Sequence, residues 1–129
     1  MEKPLCPFCV VAADEILVSR SLAIARHDLF PVSKGHTLII PRRHVRSFFD
    51  TTAEERREMM ELIDEAKSVL DREHNPDGYN IGINDGAAAG QTVMHLHIHL
   101  IPRYIGDVAD PRGGVRWIVQ RQAEYWKKP

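Results

Sequence analysis

No apolar run in this chain approaches the roughly 20 residues needed to span a bilayer, so an α-helical membrane anchor is not expected. The opening Met1-Glu2-Lys3-Pro4 lacks the apolar stretch of a signal peptide, and the expected location is cytoplasmic. Charge of one sign is also lacking. With a formal net charge of -1 there is no sequence-wide basic surface, so no nucleic acid partner is expected. A small, locally bound anion remains compatible with that balance. Repeats, low-complexity tracts and Gly/Ser linkers are absent, and 129 residues are enough for one core, so residues 1–129 are expected to act as one unit. Cysteine is limited to Cys6 and Cys9, in a C-P-F-C arrangement. In a reducing compartment that pair is a redox couple or half of a metal site. A thioredoxin-like pair would follow a strand and open a helix, and too few residues precede Cys6 for that, so metal is favoured.

What is present alternates between two periods. Ile16-Leu17-Val18 and Leu22-Ala23-Ile24-Ala25 read as strands around a turn near Ser19-Arg20-Ser21, and His36 to Pro41 is a third β-rich run. From Thr52 the period becomes helical. Thr52 with Glu55 forms a capping-box signature, and Met59, Leu62, Ile63, Ala66, Val69 and Leu70 recur at helical spacing until about Glu73, before Asn75-Pro76. The charges between them are expected to form a solvated face. Tyr79 to Asn84 reads as a fourth strand. A Gly/Ala-rich loop, 85–90, leads to a fifth from Thr92 to about Arg103. Strands, helix, then strands predict an α+β fold with a largely antiparallel sheet.

Within the fifth strand His95, His97 and His99 alternate with Leu96, Ile98 and Leu100, which places three imidazoles on one face. Met94 and those aliphatic residues point the other way, into the core. Packing alone does not explain three histidines on one face. A single metal bound by all three would require side chains to converge from Cα atoms about 13 Å apart at the ends of the row. Nucleophilic attack on phosphorus fits better. A neutral imidazole attacks, a neighbour donates to the phosphate oxygens, and a third group supports the ring tautomer. Gly90-Gln91-Thr92 adds backbone N–H groups, an amide and a hydroxyl near the same end. His36 and His74 read as ordinary surface or turn residues.

The run G-Q-T-V-M-H-L-H-I-H-L-I at 90–101 resembles the signature of the histidine triad, or HIT, superfamily. The resemblance continues through H-D-L-F-P-V-S-K-G-H-T-L-I-I-P-R-R-H (27–44) and N-I-G-I-N-D-G (80–86), and covers the chain from the cysteine pair to about Trp117. It implies a five-stranded antiparallel sheet with one long and one short helix, usually in a homodimer. It also implies a nucleotide hydrolase or nucleotidyl transferase that cleaves at the α-phosphate of a phosphoramidate or dinucleoside polyphosphate. Carried over by position, His97 is the nucleophile and His99 the phosphate contact. Asn84, Gln91 and Thr92 lie beside the α-phosphate, and Asp28 holds the ribose hydroxyls. Arg26 stands where related sequences often carry an apolar residue.

In one group of these proteins zinc is bound by residues matching Cys6, Cys9, His44 and His95, a closed tetrahedral set of structural type. No catalytic metal is implied on the protein, although Mg²⁺ would accompany a polyphosphate substrate. Arg112 and Arg116, in D-P-R-G-G-V-R-W, have three open readings: a second phosphate, a dimer contact or a turn. Two other function classes stay open at this stage. One is a non-catalytic nucleotide-binding or scaffolding module stabilised by zinc; the other is a zinc hydrolase whose histidines are catalytic ligands.

Overall fold

The longest regular segment starts where its cap demands. In the computed structural model, which describes residues 6–129, Thr52 accepts a hydrogen bond from the Glu55 N–H while the Glu55 carboxylate accepts from the Thr52 N–H. Helix α1 then runs Ala53–His74 and ends at Asn75, whose φ of 49° closes it in the left-handed conformation. Met1 to Pro4 lie outside the described residues. One face of α1 buries Met59, Leu62, Ala66 and Leu70. Its charged positions are not all solvated, contrary to the expectation from sequence. Glu58 is buried and accepts from Ser21 Oγ at 2.7 Å and Leu22 N at 2.8 Å. Glu55 pairs with Arg43, and the Glu61 and Glu65 carboxylates pair with Arg20. These contacts tie the helix to the β1–β2 turn and to the chain after β3.

The strands are β1 Ile16–Ser19, β2 Ala23–His27, β3 Thr37–Pro41, β4 Gly78–Ile83 and β5 Ile98–Arg103. They form one antiparallel sheet in the order β1-β2-β3-β5-β4. A second helix, α2, covers only Gln120–Ala123. Period-two alternation divides the sheet into two faces. Ala23, Ala25, Ile39, Ile98 and Leu100 pack under α1, whereas Ile24, Leu38 and Ile40 face the N-terminal segment through Phe8, Val11 and Ile16. His99 lies opposite Leu38, and Leu38 opposite Arg26, so all three share the face away from α1.

Three sequence expectations change here. The fifth strand begins at Ile98, not Thr92, so only His99 of the three histidines is within a strand. His95 and His97 occupy the lead-in, a bend at 93–95 followed by two residues, which Leu96 fastens to Val45 with an N–H···O bond of 2.7 Å. Alternation holds only from Leu96 on: Leu96 and Ile98 are buried and His97 is half-buried, whereas His95 is buried as well. Met94 does not enter the core but is 43% exposed. His36 is no surface residue. It is buried just before β3, after a turn in which Gly35 has a φ of +91°. A Cβ on Gly35 would come within 2.9 Å of the His74 ring, so glycine allows this turn to pass close to the end of α1. His74 is half-buried there as the last residue of the helix.

Candidate active site

The sheet face opposite α1 collects four histidines whose hydrogen bonds fix where each proton resides. The Nδ1 of His97 is 2.9 Å from the carbonyl oxygen of its neighbour His95. A carbonyl only accepts, so Nδ1 carries the hydrogen and Nε2 keeps its lone pair. The Val32 N–H donates to Nδ1 of His36 at 3.1 Å, so the neutral His36 ring is protonated at Nε2. That nitrogen is 3.0 Å from Nδ1 of His99 and 3.3 Å from Oδ2 of Asp28. His36 thus donates to His99, and the His99 proton is on Nε2. The His97 and His99 rings have centroids 5.1 Å apart. The site therefore pairs a nucleophilic imidazole lone pair with an imidazole N–H donor.

Burial keeps the supporting pair uncharged. Desolvation, with His97 and His36 nearby, pushes His99 down to about 4, and burial also lowers His36 against the opposing pull of Asp28. Both rings lie below the ordinary imidazole value of 6.5, so the unfolded chain takes up protons first as pH falls. The stability they contribute is complete above 6.5 and is lost as pH falls toward 4. The urea midpoint should drop over that window, and less steeply in the double variant His36→Gln/His99→Gln. Equal slopes for the two proteins would contradict this assignment.

The other expected site residues are placed unevenly. Asp28 is close to His99, but Oδ1 accepts from Phe30 N at 2.8 Å and Oδ2 faces His36. Asn84 is half-buried just after β4 and lines a cavity of about 790 Å³ together with His36, His99 and Gly90. Thr92 is exposed. Gln91 is buried. Its Nε2 donates to the carbonyls of Arg46 and Val93 at 3.0 and 3.1 Å, while its Oε1 accepts from Gly86 N at 2.8 Å and from Arg46. The buried amide braces loop 85–93. Arg112 and Arg116 are likewise taken up within the tail. Arg112 pairs with Asp110 and lies over the Trp126 ring; Arg116 donates to the Gln122 carbonyl and lies over Tyr125.

His36 is the functional residue that sequence reasoning missed. Its position at the head of the apolar run T-L-I-I was visible, but its two partners are Val32 on a local turn and His99 across the sheet.

Beside this site lies a second cluster. One donor atom from each of Cys6, Cys9, His44 and His95 falls within 4.8 Å of all the others. The Nδ1 of His95 is 3.4 Å from Cys6 Sγ and 3.6 Å from Cys9 Sγ, and Nδ1 of His44 is 3.2 Å from Cys9 Sγ. In a tetrahedral site with Zn–S near 2.3 Å and Zn–N near 2.05 Å, the S···N edge is about 3.6 Å. These spacings therefore fit a shared metal. His95 Nε2 donates to the Pro41 carbonyl at 2.8 Å, which leaves Nδ1 unprotonated toward the thiols. The cysteines also carry Phe8, whose ring meets the His97 ring edge-on at 4.9 Å.

Comparison with known proteins agrees with this geometry. A family model described as the HIT domain matches residues 11–106. The nitrilase and fragile histidine triad fusion protein NitFhit of Caenorhabditis elegans is 34% identical over 119 residues, 92% of this chain and 26% of that protein. The bis(5'-adenosyl)-triphosphatase of Dictyostelium discoideum is 39% identical over 94 residues, 73% of this chain and 63% of that enzyme. The chain thus spans less than two thirds of each. A solved zinc-bound histidine triad family protein of Mycobacterium smegmatis superposes with a TM-score of 0.72 at 33% identity, covering 81% of this chain and 79% of its own. Triad, sheet order and family model coincide, and the chain belongs to the HIT domain family.

Proposed function

We propose that this protein is a nucleotide hydrolase that cleaves at the α-phosphate of a nucleotide conjugate through a nucleotidyl intermediate on His97. The observation that carries the proposal is the tautomer of His97. Its Nδ1–H is committed to the His95 carbonyl at 2.9 Å, which leaves Nε2 as a neutral nucleophile beside the Nε2–H of His99. Nε2 of His97 attacks the α-phosphorus in line. The bond to the leaving group breaks with its electron pair on the departing atom, which takes a proton from solvent, while His99 Nε2–H donates a hydrogen bond to the phosphate oxygens and the His36 N–H holds the opposite side of that ring. Water then attacks the phosphorus, the bond to His97 Nε2 breaks, and the proton that the water releases to solvent balances the one taken up in the first half-reaction. In this reading Asp28, beside His36, accepts from ribose hydroxyls, and Asn84, on the cavity wall, steadies the phosphate. The named activity of the Dictyostelium relative supports a dinucleoside polyphosphate as one substrate type.

Cys6, Cys9, His44 and His95 would hold zinc, which as a closed site supplies a structural cross-link between the N-terminal segment and the chain that leads into β5. The cytoplasm and a homodimer complete the proposal. Edge strand β4, where Ile81 is 48% exposed, is the surface that supports pairing with a second copy.

Incubation with adenosine phosphoramidate or diadenosine triphosphate in ¹⁸O-water tests the reaction. AMP carrying one solvent oxygen is the expected product. AMP binding without release of AMP from either compound would overturn the enzymatic reading and leave a binding module.

A further inference from the structure

Asp28, His36 and His99 each place one ligating atom within 4.8 Å of the other two, a carboxylate oxygen and two imidazole nitrogens around one point. His36 Nε2 is 3.0 Å from His99 Nδ1 and 3.3 Å from Asp28 Oδ2. A single hydrogen, the Nε2–H of His36, therefore serves two acceptors. The backbone fixes this arrangement before anything binds. The Asp28 N–H donates to the His36 carbonyl at 3.0 Å, and His99 is held in the β3–β5 ladder opposite Leu38. The Phe30 N–H on Oδ1 leaves Oδ2 turned toward His36. None of the three residues is on the edge strand β4. The Asp28 side chain, 15% exposed, connects the cluster to solvent.

Donor atoms around an ion bound at about 2.1 Å stand about 3.0 Å apart in octahedral and about 3.4 Å apart in tetrahedral coordination. The two distances from His36 Nε2, 3.0 and 3.3 Å, match these without movement of the strands. His99 needs no rearrangement, because its hydrogen is on Nε2 and Nδ1 keeps a lone pair. In His36 the hydrogen must move from Nε2 to Nδ1, and the 3.1 Å bond from the Val32 N–H is given up. Two imidazoles suit zinc-like dications and disfavour Mg²⁺ and Ca²⁺, which take oxygen ligands. One carboxylate stands here where the Cys6/Cys9 cluster has two thiolates, and a hydrogen bond is lost on binding, so this site is the weaker of the two and fills second. Its occupation bears on the nucleotide. Asp28 Oδ1 already accepts from Phe30, so an ion on Oδ2 engages both oxygens of the carboxylate assigned to the ribose.

We propose that Asp28 Oδ2, His36 Nε2 and His99 Nδ1 form a second, weaker dication site, selective for zinc-like ions over Mg²⁺, and that its occupation weakens nucleotide binding. The effect on the nucleotide rests on the ribose contact given to Asp28 in the function proposed above; the ion site itself does not.

Protein already loaded with one zinc per chain is titrated with Co²⁺ and followed by absorption. Ligand-field bands that saturate at one cobalt per chain, without thiolate-to-cobalt charge-transfer bands, are expected. Asp28→Asn and His36→Gln should each raise the cobalt Kd by roughly tenfold or more, and Mg²⁺ in roughly hundredfold excess should not compete. In the wild type a second equivalent of Zn²⁺ should move the His36 ring hydrogen from Nε2 to Nδ1, read from ¹H–¹⁵N ring couplings, and leave the His99 hydrogen on Nε2. Saturating cobalt should raise the Kd for AMP by roughly fivefold or more, and AMP should weaken cobalt by the same factor. Absence of a second cobalt, thiolate bands alone, or a cobalt Kd unmoved by both variants would overturn the site. Cobalt that binds as expected but leaves the Kd for AMP unchanged would overturn its effect on the nucleotide. None of these readings uses turnover, so loss of the hydrolase function would show separately, as failure to release AMP from nucleotide conjugates.

Discussion

Replacement of His97 by asparagine is expected to reduce hydrolysis by about 10⁴-fold or more, with the Kd for AMP changed by less than about threefold. Asparagine retains an N–H that can reach the His95 carbonyl, the contact that orients the wild-type ring at 2.9 Å, but it has no lone pair equivalent to imidazole Nε2. The split between binding and turnover separates chemistry from packing. His97 is half-buried and touches Phe8 and His99 through ring edges, so a variant that collapsed the pocket would lose AMP binding together with turnover. Pre-steady-state product formation with excess variant enzyme gives the rate without reliance on KM. Near-normal turnover in the asparagine variant would remove His97 from the mechanism.

The second large effect is expected at the metal cluster. Zinc-loaded protein should contain close to one ion per chain, and Cys9→Ser should abolish that stoichiometry and lower Tm by about 10 °C. Cys9 is exposed, so loss of packing at this position cannot account for a drop of that size. Chelation should lower the Tm of the wild type toward that of the variant and leave the variant unaffected. It should also accelerate amide exchange around Phe8, which the cysteines position against His97. Well below the reduced Tm the chelated enzyme should continue to hydrolyse substrate, because the hydrogen-bonding proposed for His97 and His99 includes none of the four ligand side chains. Complete loss of turnover at low temperature, with the fold intact by circular dichroism, would favour a catalytic zinc instead.

How much of this could be read from sequence depended on the range of the interaction. The capping box at Thr52 and the core stripe of α1 depend on neighbours three and four residues apart, and both appear in the structure as the spacing predicts. Alternation around His97 correctly separated Leu96, Ile98 and Leu100 from the histidines. It could not show that pairing starts only at Ile98, because the order of apolar and polar side chains does not report whether the backbone is paired. Distance along the chain disfavours convergence of the three histidines on one metal, and the structure brings His95 to Cys6, Cys9 and His44. His36 was misread because its role rests on a contact 63 residues away in the chain. For Gln91 residue type announced polar partners, and the structure supplies three backbone groups and Arg46.

The exposed aliphatic tail was equally opaque. Val115, Ile118 and Val119 show no helical or strand periodicity, and their place on the wall that also contains His99 appears only once the tail lies alongside β4.

The covalent intermediate on His97 is tested most directly by rapid denaturing quench during turnover of an adenosine phosphoramidate. The quench is made at alkaline pH, because phosphorus–imidazole bonds are labile in acid, and is followed by peptide mass spectrometry. An adenylyl group on His97, rising and decaying with the time course of AMP release, is the expected result. An adenylyl group on a different side chain, or an unmodified His97 peptide throughout steady AMP production, would contradict it.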